Sequence, residues 1–177
     1  MNIAHYLEQS ARIFPNNPAL SEESTEINYS QFNERANKTA TALIKLGVKP
    51  GDHIGLCAPN SIDWMTFYYG VFKAGAVAVT ISNLVKPSEL AYYYEHSKFK
   101  MVFTVDDKLD DLNKMKEGDN LSIICPGGDW SYPKLMETGS GQFKAIDRDR
   151  SDTAAILYTG GTTGKPKGII HDTGGYA

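Results

Sequence analysis

An α/β fold with a partly parallel sheet and flanking helices follows from two features of the 177-residue sequence. From His53 onward, short apolar stretches alternate with longer segments of helical spacing. That strand–helix–strand–helix–strand order lays strands side by side in parallel, joined by right-handed crossovers. In addition, Ala76-Val77-Ala78-Val79-Thr80-Ile81 is apolar at nearly every position, as a strand covered on both faces must be.

The elements follow in chain order. Residues 3–14 predict a short amphipathic helix that stops before Pro15. Ala19-Leu20-Ser21 and Glu26-Ile27-Asn28-Tyr29 flank a polar stretch and predict a small hairpin. Ser30 is the expected N-cap of the next helix, whose apolar face is Phe32, Ala36, Ala40, Leu43 and Leu46. Gly47 sits where the helix should end. His53 to Ala58 predicts a strand, and Pro59-Asn60-Ser61 a turn and cap. Ile62 to Ala74 is apolar on nearly every face and should be buried. After the strand at 76–81, Pro87-Ser88 opens a helix through Ser97, and Met101 to Val105 predicts the next strand. The charged stretch 106–120 predicts a solvated helix or loop. Leu121 to Cys125 predicts one more strand, followed by a loose Gly-rich stretch to about residue 150.

Composition narrows the function classes. Hydrophobic residues are 41% and charged residues 22%, a globular balance that excludes a disordered or fibrous chain. Eighteen Lys and Arg against 21 Asp and Glu leave a net charge of −3, so no net basic field exists to hold nucleic acid or an anionic membrane. Cys57 and Cys125 form neither a CxxC pair nor a zinc spacing and are expected as buried, reduced thiols. His5, His53 and His96 have no acidic or cysteine neighbours at ligand spacing, so no metal site is expected. Tyr92-Tyr93-Tyr94 is expected to pack rather than to bind. The first residues carry Glu8 and Arg12 and lack the apolar core of a secretory signal, and no apolar run is long enough to span a membrane. The expectation is a cytoplasmic protein with no integral membrane segment.

One segment carries chemistry. Ala154-Ala155-Ile156-Leu157-Tyr158 predicts an apolar strand that runs into Thr159-Gly160-Gly161-Thr162-Thr163-Gly164-Lys165-Pro166-Lys167-Gly168, and then into Ile169-Ile170-His171. Glycines let successive backbone N–H groups turn toward one anion, threonine hydroxyls add neutral donors, and lysines add charge. A polyphosphate is the ligand this chemistry suits. It is not a Walker A loop: only three residues separate Gly160 from Gly164, and Pro166 stands where Ser or Thr should hold magnesium. It is not a dinucleotide fingerprint either, because Thr159 replaces the first glycine and no helix follows. A glycine loop between two strands fits a flap over ATP phosphates better than a fixed cradle.

The run Tyr158-Thr159-Gly160-Gly161-Thr162-Thr163-Gly164-Lys165-Pro166-Lys167-Gly168 resembles the signature loop of the AMP-forming, acyl-adenylate-forming synthetases. These include acyl-CoA synthetases, luciferases and peptide-synthetase adenylation domains. The resemblance departs at Gly160, where serine is common. It extends upstream through Asn28-Tyr29-Ser30-Gln31-Phe32, Leu46-Gly47-Val48-Lys49-Pro50-Gly51-Asp52, Ala58-Pro59-Asn60-Ser61 and Gly70-Val71-Phe72-Lys73-Ala74-Gly75-Ala76. The upstream part is closest to fatty-acyl-CoA ligases, whereas Lys167 to Tyr176 is more like the acetyl-CoA synthetase branch.

The resemblance implies a ligase that activates a carboxylic acid, fatty acids first, with ATP to acyl-AMP and passes the acyl group to coenzyme A. It implies that Thr159, Gly160, Gly161, Thr162, Thr163 and Gly164 hold the β- and γ-phosphates and that Lys167 is catalytic, offsetting charge on the leaving pyrophosphate. It also implies Mg2+ and coenzyme A as cofactors, with their sites outside these residues. By the same resemblance, residues 1–177 are the N-terminal part of the AMP-binding (adenylation) domain, the N-terminal lobe of a large domain. The expectations are an incomplete sheet whose exposed edge invites self-association, and a chain inactive by itself. A stand-alone, non-catalytic nucleotide-binding or interaction module stays open as the alternative.

Overall fold

The computed structural model describes residues 2–116, 120–159 and 166–175. Helix α1 (Ala4–Ile13) leads into a hairpin of β1 (Pro18–Glu22) and β2 (Thr25–Asn28) and then into α2 (Tyr29–Lys45). The α/β part follows as β3 (His53–Cys57), α3 (Ile62–Lys73), β4 (Val77–Thr80), α4 (Pro87–Ser97) and β5 (Met101–Thr104). A short 3-10 turn, α5 (Leu109–Lys116), β6 (Ser122–Ile124), α6 (Tyr132–Glu137), β7 (Thr153–Thr159) and β8 (Lys167–Asp172) complete it. Among the described residues the main sheet runs β6-β5-β3-β4-β7-β8, parallel throughout except for β8, which returns antiparallel to β7.

Strand alternation sorts the core into two layers. Ile54, Leu56, Ala78, Met101, Phe103 and Ile124 face the side covered by α2, α3 and α6, where Leu43, Phe67, Val71 and Leu135 are buried. Val77, Val79, Val102 and Ile123 face the opposite side, covered by α4 and α5 through Leu90, Tyr93, Tyr94 and Leu112. Burial on both faces is why β4 reads as continuously apolar. Helices α2 and α3 approach closely at Gly70, where an added β-carbon would lie 2.5 Å from Thr39 Cβ. Both cysteines are buried and free, as expected.

Three expectations need correction. The N-cap of α2 is Asn28, not Ser30: the Asn28 side chain accepts from the Gln31 backbone N–H, and Gln31 Oε1 accepts from the Asn28 N–H. The chain passes from strand to helix with no loop between, so the cap lies two residues earlier than the hairpin pattern suggests. The charged stretch after Val105 is not all solvated, since Leu112 is fully buried and Lys108 nearly so. The loose stretch to residue 150 contains a helix, α6, whose Tyr132 is buried and donates or accepts at both Thr39 Oγ1 (2.8 Å) and Thr66 Oγ1 (2.9 Å). Burial pushes the Tyr132 phenol up to about 12.

Candidate nucleotide site

Strand β7 is buried through Ala154 to Ile156 and emerges at Leu157, Tyr158 and Thr159. Its end lies at the same edge of the sheet as the carboxyl ends of β3 and β4, which is where open parallel sheets place ligands. A cavity of about 420 Å3 opens there. Ala58 and Asn60 line it from the turn after β3, Ser82 and Asn83 from the turn after β4, and Leu157 to Thr159 from β7. Trp64 and Tyr68 of α3 form its aromatic wall, their rings stacked at 5.0 Å and 24°. Ser61 holds that wall in place by capping α3, its Oγ accepting from the Trp64 N–H at 3.0 Å.

Across the sheet, Thr159 pairs directly with Lys167 in the β7–β8 register, and Tyr158 with Gly168. Cross-strand partners project to the same face, so Thr159 and Lys167 stand together at the mouth of the loop. Both are exposed to solvent. The structure thus brings these two sequence-predicted residues together, beside the aromatic cavity. Gly160, Gly161, Thr162, Thr163 and Gly164, expected to hold phosphate, lie outside the described residues, as does Lys165. Gly168 admits the Tyr158 ring: a β-carbon there would stand 3.0 Å from Ile156 Cγ2 and 3.3 Å from Tyr158 Cε1.

The cavity wall of Trp64 and Tyr68 was not legible as a site. The apolar run of α3 signals burial at every position and gives no sign of which aromatics face an opening. Tyr92 likewise does more than pack, since its hydroxyl donates to the Pro166 carbonyl at 3.0 Å. His171 lies in β8 opposite Ala155. His53 Nδ1 meets the Ser97 carbonyl, and His96 Nδ1 the Tyr158 hydroxyl. The expectation that His5 lacks acidic neighbours fails: Nδ1 is 3.1 Å from Glu8 and Nε2 2.9 Å from Asp147. Helical i,i+3 spacing supplies Glu8 and the fold supplies Asp147. Among the described residues no group of three or more His, Cys, Asp or Glu side chains is placed to hold a metal ion, and no helix is long and apolar enough to cross a membrane.

Comparison with known proteins adds to this geometry. The AMP-binding enzyme family matches residues 7–177. The chain is 31% identical to the long-chain-fatty-acid–CoA ligase FadD13 of Mycobacterium tuberculosis over 177 residues, covering 96% of this chain and 35% of that protein. It is 30% identical to the 3-oxocholest-4-en-26-oate–CoA ligase of Rhodococcus rhodochrous, covering 96% of this chain and 33% of that one. The crystal structure of the anthranilate CoA ligase AuaEII in complex with anthranoyl-AMP superposes with a TM-score of 0.91 at 28% identity, over 98% of this chain and 35% of that one. The chain therefore spans about a third of the length of these relatives. The match over residues 7–177, on a mostly parallel sheet whose strand β7 ends at Thr159, places this chain in the AMP-binding enzyme family.

Proposed function

We propose that these 177 residues form the N-terminal part of the adenylation domain of an acid–thiol ligase. The reaction begins when a carboxylate oxygen of the acid attacks the α-phosphorus of ATP. The bond to the bridging oxygen breaks, pyrophosphate leaves with that electron pair, and acyl-AMP remains. The thiol of coenzyme A then attacks the acyl carbon, its proton passes to solvent, and AMP departs. The observation that carries this reading is the pairing of Thr159 with Lys167 at the mouth of the glycine loop, at the ligand-binding edge of the sheet.

In this reading Thr159, Gly160, Gly161, Thr162, Thr163 and Gly164 donate to the β- and γ-phosphates. Lys167 neutralises charge that grows on the departing pyrophosphate. A preorganised donor aimed at developing charge contributes about 100-fold or more in rate. Magnesium travels with the triphosphate as part of the substrate. The acid is read as a fatty acid, a class supported by FadD13 and by the upstream resemblance. The cavity lined by Leu157, Trp64 and Tyr68 adjoins Thr159 and is apolar enough to take acyl carbon. Two buried, free thiols suit a reducing, cytoplasmic compartment. The exposed outer edge of β8 supports self-association as the partner reading.

The adenine, coenzyme A and hinge elements of the ligase are read as lying in the two-thirds of the relatives that this chain does not match. Pyrophosphate release from the purified chain with ATP, magnesium and a series of fatty acids is the deciding measurement. No turnover is expected from the 177 residues alone, whereas robust turnover overturns that part of the reading. Calorimetry with ATP tests the alternative of a stand-alone nucleotide-binding module: micromolar binding lost in Lys167→Ala, with no turnover in any longer in-frame product, favours the module.

A further inference from the structure

The residues on either side of the glycine loop are held from outside the hairpin, and both holds come from one helix. Tyr92 and His96 are four residues apart on α4, so they share a face, and their rings stack at 5.7 Å and 21°. The Tyr92 hydroxyl donates to the Pro166 carbonyl at 3.0 Å. His96 Nδ1 lies 2.6 Å from the Tyr158 hydroxyl. Tyr93 adds an edge-on contact to the Tyr158 ring at 4.7 Å. Pro166 immediately precedes Lys167, and Tyr158 immediately precedes Thr159, so each hold is one residue away from a proposed phosphate contact.

We propose that Tyr92 and His96 are positioning residues for the phosphate loop: α4 is a brace that fixes both strands at the loop's mouth. This rests on the reading of residues 159–168 as the polyphosphate site. Two observations support it. The two contacts reach the end of β7 at Tyr158 and the residue just before β8 at Pro166, whereas ordinary helix-on-sheet packing does not select positions on both sides of one connection. Gly168 leaves the room on β8 that the Tyr158 ring occupies, and an alanine there would crowd the ring that His96 holds. Burial raises the Tyr158 phenol above its ordinary value, with Tyr92 and Tyr93 adding to the rise and a Ser97 hydrogen bond opposing it, so the hydroxyl keeps its proton near neutrality.

The physical consequence is preorganisation. A phosphate site built from loop donors binds more tightly when the ordering of its ends is already complete before the ligand arrives. The brace touches no ligand atom. Its loss therefore weakens phosphate binding while leaving the sheet and its two core layers in place.

Calorimetry of the 177-residue chain with inorganic pyrophosphate, and separately with ATP and magnesium, tests this beside thermal unfolding without ligand. Tyr92→Phe removes only the hydroxyl that reaches Pro166. His96→Ala removes the imidazole, and His96→Asn restores a hydrogen-bonding atom near the position of Nδ1. Each of the first two variants is expected to weaken pyrophosphate binding about 3–10-fold, the size of one net hydrogen bond, with little change in unliganded Tm. His96→Asn is expected to recover most of the loss. Wild-type affinity in both Tyr92→Phe and His96→Ala overturns the brace while leaving the phosphate-loop reading intact. A fall in Tm with affinity preserved also overturns it, because the contacts would then serve only the fold. Absence of pyrophosphate and ATP binding by the wild-type chain overturns the brace, because ordering of the loop's ends by α4 would then not suffice to form a phosphate site, while the ligase reading stands or falls on pyrophosphate release.

Discussion

At the residue scale the least expected feature is a fully buried lysine. Lys73, at the end of α3, is 0% exposed and donates to Glu8 Oε1 at 2.6 Å. The same carboxylate oxygen accepts from the Ala145 N–H at 2.8 Å, and Oε2 meets His5. Nearby, Asn2 Nδ2 donates to the Ile146 carbonyl, so the first helix is pinned to the strap before β7. The two partners carry opposite signs. For Glu8, burial works to raise the carboxyl, but the hydrogen bonds from Lys73, Ala145 and His5 outweigh it and hold the group below its ordinary value of 4.5. For Lys73, burial lowers the ammonium, and Glu8 only partly restores it. The whole Lys73 ammonium has left water whereas Glu8 keeps about a quarter of its side chain exposed, so the cost of burying the lysine offsets much of the attraction between them. A pair of this kind adds little stability overall yet is costly to break, since one charge is left buried alone. Glu8→Ala is therefore expected to cost about 3 kcal/mol in urea unfolding, and Glu8→Ala with Lys73→Met to recover a substantial part. Glu8 contributes to the acid limb, alongside Asp52 and Asp129, which their lysine partners also hold low: a carboxyl depressed in the folded state contributes stability that is complete above its ordinary value and is lost as pH falls through its lower folded value. Glu8→Gln should flatten that limb, and an unchanged pH–stability profile would show that Glu8 does not set it.

At the element scale, the helix starts and close approaches are the most exposed to test. Asn28 and Gln31 form a reciprocal capping box on α2, so Asn28→Ala is expected to cost about 1 kcal/mol, whereas Ser30→Ala should stay within about 0.5. Equal effects of the two substitutions would contradict the cap assignment. Gly70→Ala is expected to cost about 1–3 kcal/mol by forcing α2 and α3 apart at Thr39. These cases also show which elements sequence reasoning can reach. Gly47 and Gly75 adopt φ of +89° and +70° where the helices end, so glycine marked both boundaries correctly. The strands β3 to β5 and β7 were legible because each is a short apolar run between such markers. Helix α6 was not, because its six residues are too few to show a period and Pro133 reads as loop. Its reason to exist is tertiary: Leu135 fills the core beside α3, and Tyr132 joins Thr39 to Thr66 across the helix pair. The partnership of Glu8 with Lys73 was equally hidden, for it spans 65 residues and depends on how α1 crosses α3. In the candidate site, the loop chemistry was legible from residue type alone, whereas the aromatic wall and the α4 contacts depend on strand order, which local pattern does not encode.

At the scale of the whole molecule, strand order decides where the sheet is open. Among the described residues β8 is the outermost strand on the β7 side, antiparallel to its neighbour, and Ile169 and Ile170 are 46% and 66% exposed. An outer strand with free backbone groups and exposed β-branched side chains is a template for a further strand. Between Lys167 and Asp172 the strand holds Gly168, Ile169, Ile170 and His171, with no Lys, Arg, Asp, Glu or Pro to blunt the edge. Two copies meeting edge to edge about a two-fold axis would pair β8 with β8 and extend each sheet. Sedimentation velocity over a wide concentration range is the appropriate measurement. The wild-type chain is expected to associate as concentration rises, and Ile170→Lys to remain a monomer with about the same Tm, because the new charge stands at an exposed position. A wild-type chain that stays monomeric at the highest concentration removes the self-pairing proposal. An Ile170→Lys chain that associates like the wild type moves the contact to another face. If the edge does pair, the loop mouth at Thr159 and Lys167 lies at the end of the joined strands, and association and pyrophosphate affinity should change together with concentration.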